Sequence, residues 1–142
     1  MPIKRVCVVD GQGGGIGLLL VKSLKEVYKE SVELIALGTN AIATSQMLRA
    51  GANKGASGEN AICHTLPTAD CIVGPIGITW PHAMLGEITP RMAEAVMSSR
   101  AVKILLPLSQ EKVDLVGVIK EPLPHLVQLL VEKKIKEVLK DV

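Results

Sequence analysis

A glycine-rich turn near the N-terminus constrains the fold more than any other feature of this chain. The segment Val9-Asp10-Gly11-Gln12-Gly13-Gly14-Gly15-Ile16-Gly17 follows an apolar run and opens a stretch with helical periodicity. A run of glycines lets a backbone approach a phosphate closely, and the free amides and positive dipole end of a helix start favour an anion there. The turn therefore predicts a nucleotide-phosphate cradle between a strand and a helix.

The spacing of the glycines narrows the kind of cradle. Gly11, Gly15 and Gly17 match the G-x-x-x-G-x-G variant of short-chain dehydrogenases, whereas the commoner G-x-G-x-x-G does not fit. A P-loop would need a lysine and a hydroxyl residue after these glycines, where the chain has Leu18 and Leu19. Phosphate transfer of the P-loop kind is therefore excluded. A tight packing turn between strand and helix is the alternative to ligand binding.

The residues after the second predicted strand weaken a dinucleotide assignment. A nicotinamide-dinucleotide fold usually carries an acidic residue there for the adenosine ribose, or an arginine nearby for a 2′-phosphate. This chain has Gly38, Thr39 and Asn40, which can bind a ribose hydroxyl without strong discrimination. Asp10 would repel a pyrophosphate unless its carboxylate engages a sugar hydroxyl, a metal or backbone amides. The predicted cofactor is NAD(P) or another nucleotide, including a mononucleotide or a coenzyme fragment.

Short apolar runs alternate with amphipathic segments along the chain, as they do in a parallel sheet covered by helices on both faces. The sequence predicts a single Rossmann-like domain over residues 1–142, of the α/β class, with a doubly wound and mostly parallel sheet. The predicted strands are Ile3–Val9, Val32–Leu37, Ala61–His64, Cys71–Gly74, Val102–Leu106 and Leu115–Ile119. The predicted helices are Gly15–Glu30, Asn40–Ala50, Pro90–Ser99 and Pro124–Lys140.

A second glycine-containing turn, after the fourth predicted strand, is expected to face the first. In a doubly wound sheet the ends of strands one and four flank the ligand crevice, although an ordinary strand end is the alternative here. The Gly-Ala-Ser-rich segment 53–60 is predicted to be irregular and could form a flap. The predicted ligand-binding residues are Asp10, Gly11, Gln12, Gly13, Gly14, Gly15, Ile16, Gly17, Gly38, Thr39, Asn40, Gly74, Pro75, Ile76 and Gly77.

The sequence contains no recognisable catalytic constellation. The Tyr-x-x-x-Lys pair of dehydrogenases is absent, because Tyr28 is the only tyrosine and Val32 stands in the lysine position. Cys63 and His64 are neighbours on a predicted strand and would point to opposite faces. The cysteines and histidines lack the paired spacing of a zinc site, so no metal is predicted. His82 is the best single acid–base candidate, on its position alone.

Composition limits the classes of partner. A net charge of +2 without basic blocks, one Trp, one Tyr and no Phe give no basis for binding nucleic acid. No apolar stretch approaches the roughly 18 to 20 residues that span a bilayer, and the N-terminus resembles a strand, so a cytoplasmic protein without membrane contact is predicted. Cys7, Cys63 and Cys71 are predicted to be reduced, buried thiols. A hydrophobic content of 48% favours a homo-oligomer.

Four signatures together resemble a known family. They are Val9-Asp10-Gly11-Gln12-Gly13-Gly14-Gly15-Ile16-Gly17, Ala36-Leu37-Gly38-Thr39-Asn40-Ala41, Gly55-Ala56-Ser57-Gly58-Glu59-Asn60-Ala61 and Gly74-Pro75-Ile76-Gly77-Ile78, and Leu85-Gly86-Glu87-Ile88-Thr89-Pro90 accompanies them. The chain resembles a bacterial domain-of-unknown-function family of short, single-domain proteins. The resemblance spans nearly the whole chain and implies a bacterial, cytoplasmic, Rossmann-like protein. It supplies no activity, substrate or catalytic residue.

Three functions stay open at the level of sequence. The leading hypothesis is a nucleotide- or cofactor-binding module without a self-contained catalytic centre. The second is an enzyme whose site is completed by a neighbouring subunit or by closure of segment 53–60, with His82, Asp10 or Ser109 taking part. The third is a structural or interaction protein in which the glycine turn only lets a helix and a strand pack closely.

Overall fold

The computed structural model describes residues 3–118 and 120–140, and these form a parallel sheet with helices on both faces. The order of its five strands is β3-β2-β1-β4-β5, and every neighbouring pair is parallel. The chain reverses its direction of winding between β1 and β4, which is the defining feature of a doubly wound Rossmann-like sheet. The strands are β1 Lys4–Asp10, β2 Val32–Gly38, β3 Lys54–Ser57, β4 Cys71–Pro75 and β5 Val102–Leu106.

Helices follow the strands in alternation, as parallel connections require. Asn40 begins the second helix by accepting a hydrogen bond from the amide of Ala43, and Thr89 begins the fourth in the same way, with Pro90 at its first position. The last helical segment contains a π-helical turn, Leu130–Lys134. The helices are α1 Gly15–Tyr28, α2 Ala41–Arg49, α3 Glu59–Thr65, α4 Pro90–Ser98, α5 Leu123–Leu129 and α6 Ile135–Val138.

Alternate residues of β1 divide the core into two layers. Val6 and Val8 pack on one face beneath α1 and the C-terminal helical segment, whereas Cys7 and Val9 pack on the other beneath α3 and α4. All four side chains are at most 1% exposed. Burial on both faces explains why β1 is an unbroken apolar run, and it fixes the carboxyl end of the strand, where the glycine turn begins.

Four strands and the main helices are predicted correctly to within a few residues, but three sequence predictions are wrong or incomplete. The segment predicted as strand Ala61–His64 is part of helix α3. The predicted irregular segment 53–60 contains β3, which pairs with β2 from Lys54 to Ser57. The predicted strand Leu115–Ile119 is not a strand over its residues 115–118, and Ile119 lies outside the described residues.

The cysteines differ in their environments. Cys7 and Cys71 are buried free thiols, and burial raises the pKa of each to about 12. Cys63 is only partly buried on α3, so its predicted burial is wrong in degree. High thiol pKa values leave little of the reactive thiolate near neutral pH, so the buried pair are packing residues.

None of the helices in the described ranges, 3–118 and 120–140, is both long and apolar enough to cross a membrane.

Candidate functional site

A cleft of about 380 Å³ opens at the carboxyl ends of β1, β4 and β5. It lies where the strand order reverses, the place at which doubly wound proteins bind their ligands. The cleft falls within the volume range of about 300 to 1,000 Å³ that is typical of small-molecule sites. The lining residues are Asp10, Gly11, Gln12, Gly13, Gly14, Gly15, Ile16, Pro75, Gly77, Ala83, Met84, Leu108, Ser109, Gln110 and Glu111.

Asp10 gives the glycine turn its shape. Its Oδ1 accepts a hydrogen bond of 2.8 Å from the amide of Gly11, and its Oδ2 accepts one of 2.7 Å from the amide of Gly17. The carboxylate is 4% exposed and thus joins the first residue of the turn to the first turn of α1. The sequence left three partners open for Asp10, which are a sugar hydroxyl, a metal and backbone amides. Among the described residues, its partners are backbone amides.

Burial also changes the acidity of this carboxyl group. Desolvation raises the pKa of Asp10 above its ordinary value, although hydrogen bonds from the amides of Gly17, Gly11 and Ile16 oppose the rise. Nearby Glu87 raises the pKa further. The negative charge at the base of the turn is therefore partly neutralised by three amides and costs the fold some stability.

Two amides of the turn have no acceptor among the described residues. The amide of Gly14 bonds to the carbonyl of Gly11, and that of Gln12 bonds to Glu87, but the amides of Gly13 and Gly15 have no such partner. Both glycines are exposed and line the cleft. Gly15 is the first residue of α1, so its amide lies at the positive end of the helix dipole.

Packing does not require glycine at positions 13 and 15. A Cβ built at either position meets no atom within 4 Å, and neither backbone lies in the left-handed region. Gly14 contrasts with them, because its φ is 74° and a Cβ there would lie 2.7 Å from the Cα of Ala43. Neither a close contact nor a left-handed backbone therefore accounts for glycine at positions 13 and 15.

Other predicted site glycines serve the fold. A Cβ at Gly17 would lie 2.6 Å from the Sδ of Met47, and a Cβ at Gly74 would lie 2.4 Å from the carbonyl oxygen of Val9. Gly17 and Gly74 do not line the cleft. The second turn still contributes to the cleft through Pro75 and Gly77, whereas Ile76 lies outside the lining.

The polar groups at the end of β2 are hydrogen bonded to other residues of the chain. A Cβ at Gly38 would lie 2.3 Å from the hydroxyl oxygen of Thr44, which accepts a hydrogen bond from the Gly38 amide. The side chains of Thr39 and Asn40 both donate to Oε1 of Glu87, at 2.5 Å and 2.9 Å. None of these three β2-end residues lines the cleft, although all were predicted to bind the ligand.

Glu87 is the main residue that the sequence analysis missed. Its Oε1 also accepts the Gln12 amide at 2.8 Å, so one oxygen joins the glycine turn to the end of β2. Burial alone would raise the pKa of Glu87, but the bonds donated by Thr39, Gln12 and Asn40 bring it below its ordinary value. No local motif marks this residue, which lies 75 positions from Gln12 along the chain.

Glu87 is carried by a strained connection between β4 and α4. His82, Met84 and Leu85 have φ values of 69°, 60° and 58°, and each such residue costs roughly 1–2 kcal/mol. Hydrogen bonds offset this cost, including one of 2.6 Å from the His82 amide to the carbonyl of Ile88. The conformation brings Met84 into the cleft wall beside Gly11.

The acid–base candidates are not brought together. Asp10 and Ser109 line the cleft, but His82 is exposed and lies outside the lining. Both oxygens of Asp10 accept amide bonds, and the Ser109 hydroxyl oxygen accepts the amide of Glu111 at 2.9 Å. Within residues 3–118 and 120–140 there is also no group of three or more His, Cys, Asp or Glu placed to hold a metal ion.

The comparisons with known proteins address the family and the fold. The model of a family described as a domain of unknown function (DUF3842) matches residues 5–140. The chain belongs to this family. The match confirms the resemblance seen in the sequence, and the family description names no activity.

A chain from a crystal structure of a universal stress protein in complex with cAMP is similar to this DUF3842 chain. The TM-score is 0.44 at 20% sequence identity, over 74% of this chain and 98% of that one. No curated protein sequence matches the chain. A likeness at this level supports no argument about the ligand or the fold of this chain. The fold assignment therefore depends on the chain's own strand order.

Replacing Asp10 tests its role in shaping the turn. Asp10→Ala leaves the amides of Gly11 and Gly17 without an acceptor, and we expect a loss of about 2 to 4 kcal/mol in unfolding free energy. Asp10→Asn keeps one acceptor oxygen and serves as the matched control with a smaller loss. Urea unfolding followed by Trp80 fluorescence measures both. Equal losses, or none, would contradict the role.

The pH dependence of the same variants follows from the raised pKa. Asp10 holds its proton to a higher pH in the folded protein than in the unfolded chain. Its contribution to the unfolding free energy is therefore most favourable in acid. That contribution declines as the pH rises from 3.8 through the folded pKa. The unfolding free energy of the wild type relative to Asp10→Asn should therefore fall over this interval. A rise would show that the sign is wrong.

Proposed function

We propose that this chain is a nucleotide-binding module that holds a ligand phosphate on the amides of Gly13 and Gly15. The observation that carries the proposal is the combination of two unpartnered amides with glycines that neither packing nor backbone conformation requires. Such amides at a helix start bind anions, and the missing side chains allow a phosphate to approach. A packing turn alone would not explain why these two positions are open.

The cleft walls suit a flat, largely apolar ring beside that phosphate. Ile16, Ala83, Met84 and Leu108 line the cleft together with the phosphate-facing amides. Apolar walls with a few polar groups are typical of small-molecule sites. No constellation for acid–base or nucleophilic chemistry accompanies them in the described residues, so binding is the function that the geometry supports best.

Valine at Gly15 tests the proposal. A Cβ there meets no protein atom, so the unliganded Gly15→Val variant should retain its stability to within about 0.5 kcal/mol. Its branched side chain would enter the cleft and block the phosphate. In the wild type, a ligand at one hundred times its Kd adds about 2.7 kcal/mol. We expect a shift in melting temperature with AMP, NAD, ATP or coenzyme A that is lost in the variant.

A matched control separates this effect from helix propensity. Glu26→Val places the same side chain at an exposed position of α1, away from the cleft, and should preserve the ligand-induced shift. The proposal fails if none of the four compounds shifts the melting temperature of the wild type. It also fails if Gly15→Val responds as strongly as the wild type.

We also propose that the chain forms a homodimer through the β5 edge of its sheet. β5 is the last strand in the order, and beside it lies an apolar groove formed with α5 and α6. Val102 on the strand and Leu129 on α5 are 49% and 46% exposed. An exposed strand edge with apolar neighbours is a ready surface for pairing with a second copy.

Light scattering coupled to size exclusion measures the assembly. We expect a mass of twice the 15.1 kDa of one chain at micromolar concentration. Val102→Lys should shift the mass toward one chain, because it places a charge in the proposed interface. Val116→Lys alters a fully exposed valine in the connection after β5 and is the control. A wild-type mass of one chain would contradict the proposal.

A further inference from the structure

The crevice of a doubly wound sheet has two halves, and the chain itself fills one of them. A dinucleotide spans the point of strand reversal, with one nucleotide over the β1-β2-β3 half and the other over the β4 half. The cleft described above lies between the glycine turn and the ends of β4 and β5. On the β2 side, the segment between β4 and α4 takes the place where a ribose would bind.

Glu87 uses the polar groups that a ribose would need. Thr39, Asn40 and the Gln12 amide all donate to its Oε1, and Asn40 also donates to the carbonyl of Gln12 at 3.0 Å. The amide oxygen of Asn40 accepts the Ala43 amide and is likewise engaged. The β2 end is therefore satisfied from within the chain.

Met84 completes the partition beside Glu87. Both side chains lie above Gly11, where a Cβ would approach the Met84 Sδ to 2.7 Å and the Glu87 Oε1 to 3.0 Å. Met84 also belongs to the wall of the open cleft. A ligand on the amides of Gly13 and Gly15 meets this wall on its β2 side, and the cleft continues from there toward the ends of β4 and β5.

Charge limits the ligand further. Asp10 and Glu111 are in the cleft lining, Glu87 lies beside Met84 in the wall, and the lining contains no lysine or arginine. A chain of two or three phosphates with a free terminal group, as in ADP or ATP, would bring more negative charge toward these carboxylates than a monophosphate does, without a basic side chain from the lining to compensate it. A single phosphate can instead use the two amides.

We propose that the ligand is a nucleoside monophosphate or a phosphate ester of similar size, and that Glu87 and Met84 exclude a dinucleotide. This inference rests on the proposed function and narrows its ligand class. The arrangement disagrees with NAD(P), the cofactor suggested by the glycine spacing, because the adenosine half of that cofactor has no place in the described structure. The ring of the ligand lies toward Leu108 and Ala83.

Isothermal titration calorimetry with NAD and its two halves, AMP and nicotinamide mononucleotide, tests the inference. For the wild type we expect at least one half to bind with a Kd about tenfold or more below that of NAD. Glu87→Ala removes the carboxylate and should bring the ratio of the NAD Kd to the Kd of the tighter-binding half toward one. Met84→Ala shortens a side chain of the same wall and keeps the hydrogen bonds that Glu87 accepts. It therefore tests the wall if Glu87→Ala does not fold.

A control and distinct outcomes keep the two proposals apart. Gln110→Ala changes an exposed side chain of the cleft lining that has no hydrogen bond to Met84 or Glu87 among the described residues, so the ratio of the NAD Kd to the AMP Kd should stay unchanged. Wild-type binding of NAD that equals or exceeds that of both halves overturns the ligand class but not the proposed function. An unchanged ratio in the folded wall variants overturns the role of the wall. No binding of any of the three compounds overturns the proposed function itself.

Discussion

The site depends on the buried carboxylate of Asp10. A charge at 4% exposure is costly unless it is hydrogen bonded, and Asp10 meets this requirement with amides from both ends of the glycine turn. Those two bonds remove the amides of Gly11 and Gly17 from any ligand. They also hold the turn in the form that leaves the amides of Gly13 and Gly15, two residues of the cleft lining, without an acceptor among the described residues.

The glycines of this chain therefore have different reasons for being glycine. Gly14 has a left-handed backbone, and Gly38 and Gly74 lie against atoms that a Cβ would strike. Gly13 and Gly15 meet neither condition, which is why they carry the functional proposal. A glycine-rich motif in a sequence does not separate these cases, since each looks the same until the neighbouring atoms are known.

The parts of the fold that sequence predicts are those with local signals. β1 and β4 are apolar runs buried on both faces, whereas β3 escaped prediction because its Gly-Ala-Ser sequence depends on pairing with β2. The stretch Ala61–His64 is apolar enough for a strand, but Ile62 in α3 and Leu66 at its C-cap are four residues apart and fully buried, which is helical spacing. Glu87 reaches Gln12 only through the tertiary fold.

The central claim is that the Gly13 and Gly15 amides contact the ligand phosphate, and NMR measures this directly. We would titrate AMP into ¹⁵N-labelled protein and follow the amide resonances, with Gly51 and Gly55, which contact Lys25 and Leu48 outside the cleft lining, as glycine controls. We expect the Gly13 and Gly15 resonances to shift with one common Kd while the controls stay fixed. Resonances of Gly13 and Gly15 that do not move, or that move no more than those controls, would contradict the claim.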